Sequence, residues 1–221
     1  MKNITLITSV IDTPNIPLSY IPTRSVFTKE IRYEQLKKTI ETIREKIPDN
    51  RIILVECSIL SEDERQYLTN AVDYFLNIYD TNDQQLIQRM FTPSKAMGEG
   101  TMTIYALQYL LSQNIEYDNF FKISGRYWLN DSFSYEFYDN SMSCIRYGDM
   151  NDAFTSFYKL SNYDSLSWLD YLRNSEKEFI ISIHYEGLFA QFIETLNKNI
   201  YILNNLGVSG YFSVNGNYMY G

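Results

Sequence analysis

The chain has 221 residues, 45% hydrophobic and 21% charged, with nine Gly and five Pro; it can bury one core and is neither disordered nor fibrous. A formal charge of −8 and an isoelectric point near 4.7 argue against a nucleic-acid polymer as ligand, because phosphate chains are held by clustered Lys and Arg. No run reaches the ~18 apolar residues of a membrane helix, and the N-terminus MKNITLITSVI is too short and polar for a secretion signal, so a soluble, cytoplasmic protein without a transmembrane segment is expected.

Ile4 to Ile11 is a β-branched run that predicts a buried first strand, ended by the loop chemistry of DTPNIP. From Glu30 to Ile47 the positions Tyr33, Leu36, Ile40, Ile43 and Ile47 recur at steps of three and four, predicting an amphipathic helix stopped by Pro48. Arg51 to Cys57 reads as a second buried strand, parallel to the first if the crossover is right-handed. Ser61, followed by Glu62, Asp63 and Glu64, predicts a helix cap and a helix to about Ala71. Tyr74 to Tyr79 is the third strand, Pro93 to Leu111 a Gly-broken opening (SKAMGEG) and a helix, and Phe120 to Ser124 the fourth strand.

The second half is less regular. Met142 to Arg146 and Phe154 to Tyr158 are short strand candidates, Ser165 to Arg173 and Ile183 to Leu196 are helices, and Ile200 to Leu203 is a closing strand. The tail LGVSGYFSVNGNY, with three glycines, suits either a lid or a plain surface hairpin. Alternating strands and helices indicate a layered α/β sheet in one domain, residues 1–221. Cys57 and Cys144 lie in apolar runs and read as reduced, buried thiols. The 20 Tyr and 13 Phe supply core packing first, and ring faces able to stack sugars or bases second.

The familiar catalytic signatures are missing: no GxGxxG or GxxxxGK[ST] loop, no CxxC, no HExxH and no GxSxG. With a single His, a His-based triad or metal site would rest on His184 alone. What remains is a set of polar residues at the ends of the strands, where open α/β sheets bind ligands: Thr8 and Ser9, Glu56 and Ser58, Asp80 and Asp83, and Ser124 to Tyr127. Glu56 could equally be a satisfied buried carboxylate, and Ser58 a helix cap.

The succession TRSVFTKEIRYEQ, RIILVECS, YFLNIYD, SKAMGEG and FFKISGRYWLND resembles a family of small GT-A-like glycosyltransferases of large DNA viruses and bacterial surface-polysaccharide clusters, among them a chlorovirus capsid-glycosylating domain. The specific parts are the Arg24, Ser25, Arg32, Gln35 spacing, VECS and KISGRY. The resemblance implies a GT-A-like fold with a mixed, mainly parallel sheet flanked by helices, residues 1–130 forming a nucleotide-sugar-binding half and 131–221 an acceptor-side half. It implies a nucleoside diphosphate sugar as donor, a glycan or glycoprotein as acceptor, and host cytoplasm if the source is viral. Thr8, Ser9, Glu56 and Ser58 would then hold base and ribose, and Arg24, Lys95, Gly98 and Glu99 would face the donor.

After its fourth strand a GT-A enzyme usually carries Asp-x-Asp for Mn²⁺ or Mg²⁺, whereas this chain has Ser124-Gly125-Arg126. Arg126 could replace the metal on the diphosphate, Gly125 would let the backbone approach, and Tyr127 could stack on a sugar or base. Arg126 could also merely pair with Asp131. A metal on Asp80 and Asp83, or on Asp149 and Asp152, stays open, as does a metal-independent mechanism. Glu186 is the expected base, with His184 beside it and Asp149 and Asp152 as rival carboxylates. A catalytically silent sugar-binding domain and, less well, a nucleotidyltransferase remain alternatives.

Overall fold

The computed structural model describes residues 1–148, 152–181, 184–196 and 200–220. Its first half repeats strand and helix: β1 (Asn3–Ser9), α1 (Lys29–Lys46), β2 (Asn50–Glu56), α2 (Glu62–Ala71), β3 (Tyr74–Asn77), α3 (Gln84–Met90), α4 (Lys95–Ser112) and β4 (Asn119–Ser124). β1 pairs in parallel with both β2 and β4, and β2 with β3. The register sets Ser9 beside Glu56, Glu56 beside Asn77, and Thr8 beside Ser124, so these strands end level with one another.

The second half is built of shorter pieces: β5 (Tyr127–Leu129), β6 (Ser143–Ile145), β7 (Phe157–Ser161), α5 (Asn162–Asn174), α6 (Glu176–Ile180), α7 (Tyr185–Thr195), β8 (Ile200–Ile202), β9 (Val208–Tyr211) and β10 (Tyr218–Tyr220). The large sheet runs β3-β2-β1-β4-β7-β6-β8, and a small antiparallel sheet runs β10-β9-β5. Among the described residues β7 is the one reversed strand of the large sheet, antiparallel to β4 and β6. This is the expected α/β architecture, a mixed and mainly parallel sheet flanked by helices.

Period-2 alternation in the strands explains the two cores. Ile4, Leu6, Ile53, Val55 and Phe120 face α4, α5 and α7, while Ile7, Ile52, Leu54, Phe121 and Ile123 face α1 and α2. The Ser61 cap of α2 is present as a reciprocal box with Glu64.

Four local expectations change. SKAMGEG is not a broken opening: Ser94 caps the Met97 amide and α4 runs unbroken through Gly98 and Gly100. These glycines serve contact, since a Cβ on Gly100 would lie 2.5 Å from the Phe179 ring of α6 and one on Gly98 3.0 Å from the Met90 carbonyl of α3. α3 and α6 themselves carry no legible period, being seven and five residues long. β7 starts at Phe157 rather than Phe154, and α7 begins at Tyr185, with Ile183 outside the described residues. Among the described residues no helix is long and apolar enough to cross a membrane.

Candidate functional site

Where β1 and β4 end, the chain opens into a cleft of three adjoining lobes, all of which include Lys95 and Glu99 from the N-terminal end of α4. The first lobe, about 650 Å³ and open to solvent, is framed by Thr8, Ser9, Ser124 and four cations: Arg24, Arg32, Lys95 and Arg126. The second is bounded by Tyr20, His184 and Glu186. The third is lined by Arg126, Tyr127, Phe154, Thr155, Ser156, Glu186, Phe212 and Met219. Thus Thr8, Ser9, Arg24, Lys95, Gly98, Glu99, Arg126, Tyr127, His184 and Glu186 all reach this cleft, although they come from distant parts of the sequence.

Among the described residues none of the four cations forms an ion pair. Arg24 is largely occupied within the chain, its guanidinium donating to the carbonyls of Ile16, Met90, Phe91 and Thr92. Arg32 donates from Nε to the Val10 carbonyl at 2.6 Å, and Arg126 from Nε to the Tyr211 carbonyl at 3.0 Å. Lys95 has no hydrogen-bond partner among the described residues. Burial first, and then the neighbouring Arg126 charge, pulls Arg32 down to about 10 and lowers Lys95 as well. Arg126 does not pair with Asp131.

Beneath the cleft lies Lys122, fully buried on β4, whose ammonium donates to Glu99, to Ser124 Oγ at 3.0 Å and to the Thr155 carbonyl at 2.7 Å. Burial alone would raise the Glu99 carboxyl, but the Lys122 and Lys95 charges overcome it and hold Glu99 below the usual carboxylate value. Glu99 is therefore an anion fixed at the junction of the three lobes.

Glu56 and Ser58 do not face the cleft. Both are completely buried, and Glu56 Oε1 accepts from the amides of Ile11 and Cys57 at 3.0 Å and from Ser58 Oγ at 2.5 Å. Ser58 Oγ in turn accepts from the Asp12 amide at 2.9 Å, so this pair fixes the loop after β1 from behind. A strand-end carboxylate in VECS gives no sign of which way it points, and here it points inward.

The KISGRY turn is tightly placed. The Gly125 amide donates to the Thr8 carbonyl at 2.9 Å, and a Cβ there would crowd Leu36 and Ser9 at 3.0 and 3.1 Å. Tyr127 is 2% exposed, its ring packed against Gly210 and its neighbour Arg126, which leaves only an edge for the third lobe and no free face for stacking. The tail is a paired hairpin rather than a free lid: β9 bonds both β5 and β10, and Arg126 is tied to it through Tyr211.

Glu186 stands in the first turn of α7, where Oε1 accepts from Thr155 Oγ1 at 3.3 Å. His184, exposed at the N-cap, meets the Tyr20 ring edge-on with centroids 6.2 Å apart. Asp152 lies beside Gly187 on the same turn, and Asp149 is outside the described residues.

The carboxylates suggested for a metal are committed elsewhere. Asp80 holds Arg65 through both oxygens at 2.5 and 2.8 Å, and Asp83 caps α3 through the amides of Gln85 and Leu86. Among the described residues no three His, Cys, Asp or Glu gather as a metal set. Mn²⁺ and Mg²⁺ need several oxygens, but the β4 end offers a guanidinium, and Glu99 is already bound to Lys122. Among the described residues the donor set does not fit such an ion, and Asp149 lies outside them.

Two cleft residues carried sequence signals that were not turned into roles. Arg32 continues the Leu36, Ile40 stripe of α1, so a cation stood on a buried face; Lys122 interrupts the apolar strand FFKIS in the same way. Tyr20 and Phe212, from irregular segments, had no such mark.

The sequence matches no family profile and no curated protein. In shape, the chain is similar to the crystal structure of a protein from Desulfovibrio desulfuricans G20 named as a nucleotide-diphospho-sugar transferase. The TM-score is 0.52 at 8% identity, over 92% of this chain and 80% of that one. At that identity the likeness establishes the fold, a nucleotide-diphospho-sugar transferase-like α/β layer. The viral and surface-polysaccharide resemblance rests on the motifs alone.

Proposed function

We propose that the protein is a glycosyltransferase that moves a hexosyl or deoxyhexosyl group from a nucleoside diphosphate sugar, uridine-linked, to a hydroxyl of a glycan or glycoprotein. One observation carries the reading: Arg32, Lys95 and Arg126 converge without carboxylate partners on one lobe of a chain whose net charge is −8. Arg32 and Lys95, lowered first by burial and then by the Arg126 charge, await an anion, and a diphosphate is the anion that the fold's ligand class would bring.

In this reading Thr8 and Ser9 face the nucleoside, and Lys95 and Arg126 hold the diphosphate. Gly125 keeps the backbone close, and Arg24 shapes the wall it straps. The acceptor hydroxyl attacks the anomeric carbon as the bond from that carbon to the phosphate oxygen breaks. Its proton passes to a Glu186 oxygen, and the negative charge moves onto the departing nucleoside diphosphate, where Lys95 and Arg126 stabilise it. His184 lies on the acceptor side. No step passes through a metal. The reaction belongs in the cytoplasm, where nucleotide sugars are available.

The test is a thermal-shift screen of nucleoside diphosphate sugars, with and without Mn²⁺, joined to an assay for released nucleoside diphosphate. A uridine donor at about 100 times its Kd adds about 2.7 kcal/mol, roughly 5–10 °C in Tm for a chain of this length. Slow release of uridine diphosphate should accompany the shift, equally without Mn²⁺. A shift without release would reduce the protein to a binding domain, and no shift with any nucleotide would sink the reading.

A further inference from the structure

The third lobe has a chemistry unlike the first. Its outer wall is apolar, made by Phe154, Phe212 and Met219, and its inner wall carries Thr155, Ser156 and Glu186. Phe212 is 41% exposed and therefore offers a ring face that the fold does not use. Ser156 Oγ is buried from solvent and has no hydrogen-bond partner, which in a folded interior signals a group waiting for one. The lobe adjoins the cationic one through Lys95, Glu99, Ser124 and Arg126, and Glu186 lies at its edge.

Ring faces beside isolated hydroxyl and carboxylate groups match one ligand chemistry closely. A pyranose has an apolar C–H face that lies against an aromatic ring and an equatorial rim of hydroxyls that each seek a donor or acceptor. A lipid chain would leave Ser156 Oγ without a partner and press hydrocarbon onto the Glu186 carboxylate, and a peptide would need backbone donors and acceptors that the lobe does not line up.

Resting on the glycosyltransferase reading, we infer that the third lobe is the acceptor subsite and that its occupant is a saccharide ring. The ring sits against Phe212, with one hydroxyl on Ser156 Oγ and the reacting hydroxyl toward Glu186. The hairpin of β9 and β10 then selects the acceptor: it supplies Phe212 and Met219, and Arg126 ties it to the donor lobe through the Tyr211 carbonyl at 3.0 Å. Donor binding and acceptor choice thus meet at one guanidinium.

The experiment is saturation-transfer difference NMR on the full chain, saturated with uridine diphosphate and titrated with a set of methyl glycosides. At least one glycoside should receive saturation from aromatic protons, and Phe212→Ala should weaken its binding about tenfold. Ser156→Ala should weaken it several-fold, while both variants keep the wild-type Tm shift on uridine diphosphate. Phe212 is half exposed, so loss of the fold does not confuse the result. The inference is overturned if no glycoside binds the nucleotide-loaded protein, or if binding survives both substitutions unchanged. Loss of the nucleotide shift in the wild type would instead undo the reading on which it rests.

Discussion

At one end of the large sheet, Asn3, Asn50 and Asn119 stand level on β1, β2 and β4, and there the chain spends nearly all its polar groups on itself. Asn3 Nδ2 donates to the Pro48 carbonyl at 2.7 Å and to Tyr135 at 2.8 Å, Asn119 Nδ2 to Asn3 Oδ1 at 3.0 Å, and Thr5 Oγ1 to Asn50 Oδ1 at 3.0 Å. Among these residues only Asn50 Nδ2 and Asn119 Oδ1 lack partners. At the other end, Thr8, Ser9 and Ser124 stand at the same strands' termini, but Lys95, Arg32 and Arg126 gather there with no carboxylate of the described residues within ion-pair distance, and the nearby Glu99 is taken up by Lys122. Polar residues are common to both ends. What separates a structural end from a functional one is whether the chain consumes their capacity.

The comparison breaks most sharply at Arg126. Its single side-chain hydrogen bond within the chain is to the Tyr211 carbonyl, so Arg126→Ala should lower the unfolding free energy read from urea titration by only about 0.5–1 kcal/mol. Release of uridine diphosphate should fall about 10²–10³-fold, as when a preorganised donor to developing negative charge is removed. A variant that unfolds, or one that turns over normally, would return KISGRY to the structural end of the ledger.

Asn3→Ala should behave in the opposite way. It leaves Asn119 Nδ2 without its Asn3 acceptor in buried surroundings, and the Pro48 carbonyl and the half-buried Tyr135 hydroxyl without the amide donor, at a cost of about 1–3 kcal/mol. Urea unfolding should record that loss, and the Tm increment produced by uridine diphosphate should stay unaltered. A change in that increment would mean that the two ends are coupled through β1.

The same contrast explains what the sequence could disclose. The first four strands, α1, α2 and α4 were legible because each is long enough for its period to show, and because Ser61 and Pro48 mark ends by local chemistry. α3 and α6 are too short, and β7 starts later than expected because Phe154, Thr155 and Ser156 line the cleft instead of joining the strand. Within the site, Arg126 and Lys95 could be picked out through the resemblance, Arg126 because it stands where Asp-x-Asp is usual and Lys95 because it opens the helix before β4. Orientation could not: Glu56 and Thr8 are both polar strand ends, yet register and the return of the loop after β1 turn one inward and the other to the cleft. Asp80 and Asp83 had the spacing of turn formers and of ligands alike, and only Arg65 and the α3 amides decide between them.

Glu56 tests the inward-facing member of the functional end with the smallest expected effect. Its carboxyl is pushed up by burial, which outweighs the bonds from Ser58, Ser9 and Ile11 and the Arg32 charge. A carboxyl raised in the folded state binds a proton that the unfolded chain has already lost. Its contribution to stability is therefore complete below the ordinary value of 4.5 and is lost as the pH climbs through the folded value. Glu56→Gln keeps an oxygen for the Ile11, Cys57 and Ser58 donors and places a neutral amide where Oε2 now has no partner. The variant should thus match the wild type near pH 4 and exceed it in Tm at neutral pH. Nucleotide binding should persist, because the carboxylate holds the loop and does not touch the cleft. If Glu56→Gln instead removes the uridine diphosphate shift while the fold stays intact, Glu56 reaches the ligand after all, and the boundary between spent and unspent groups at this end moves one residue deeper.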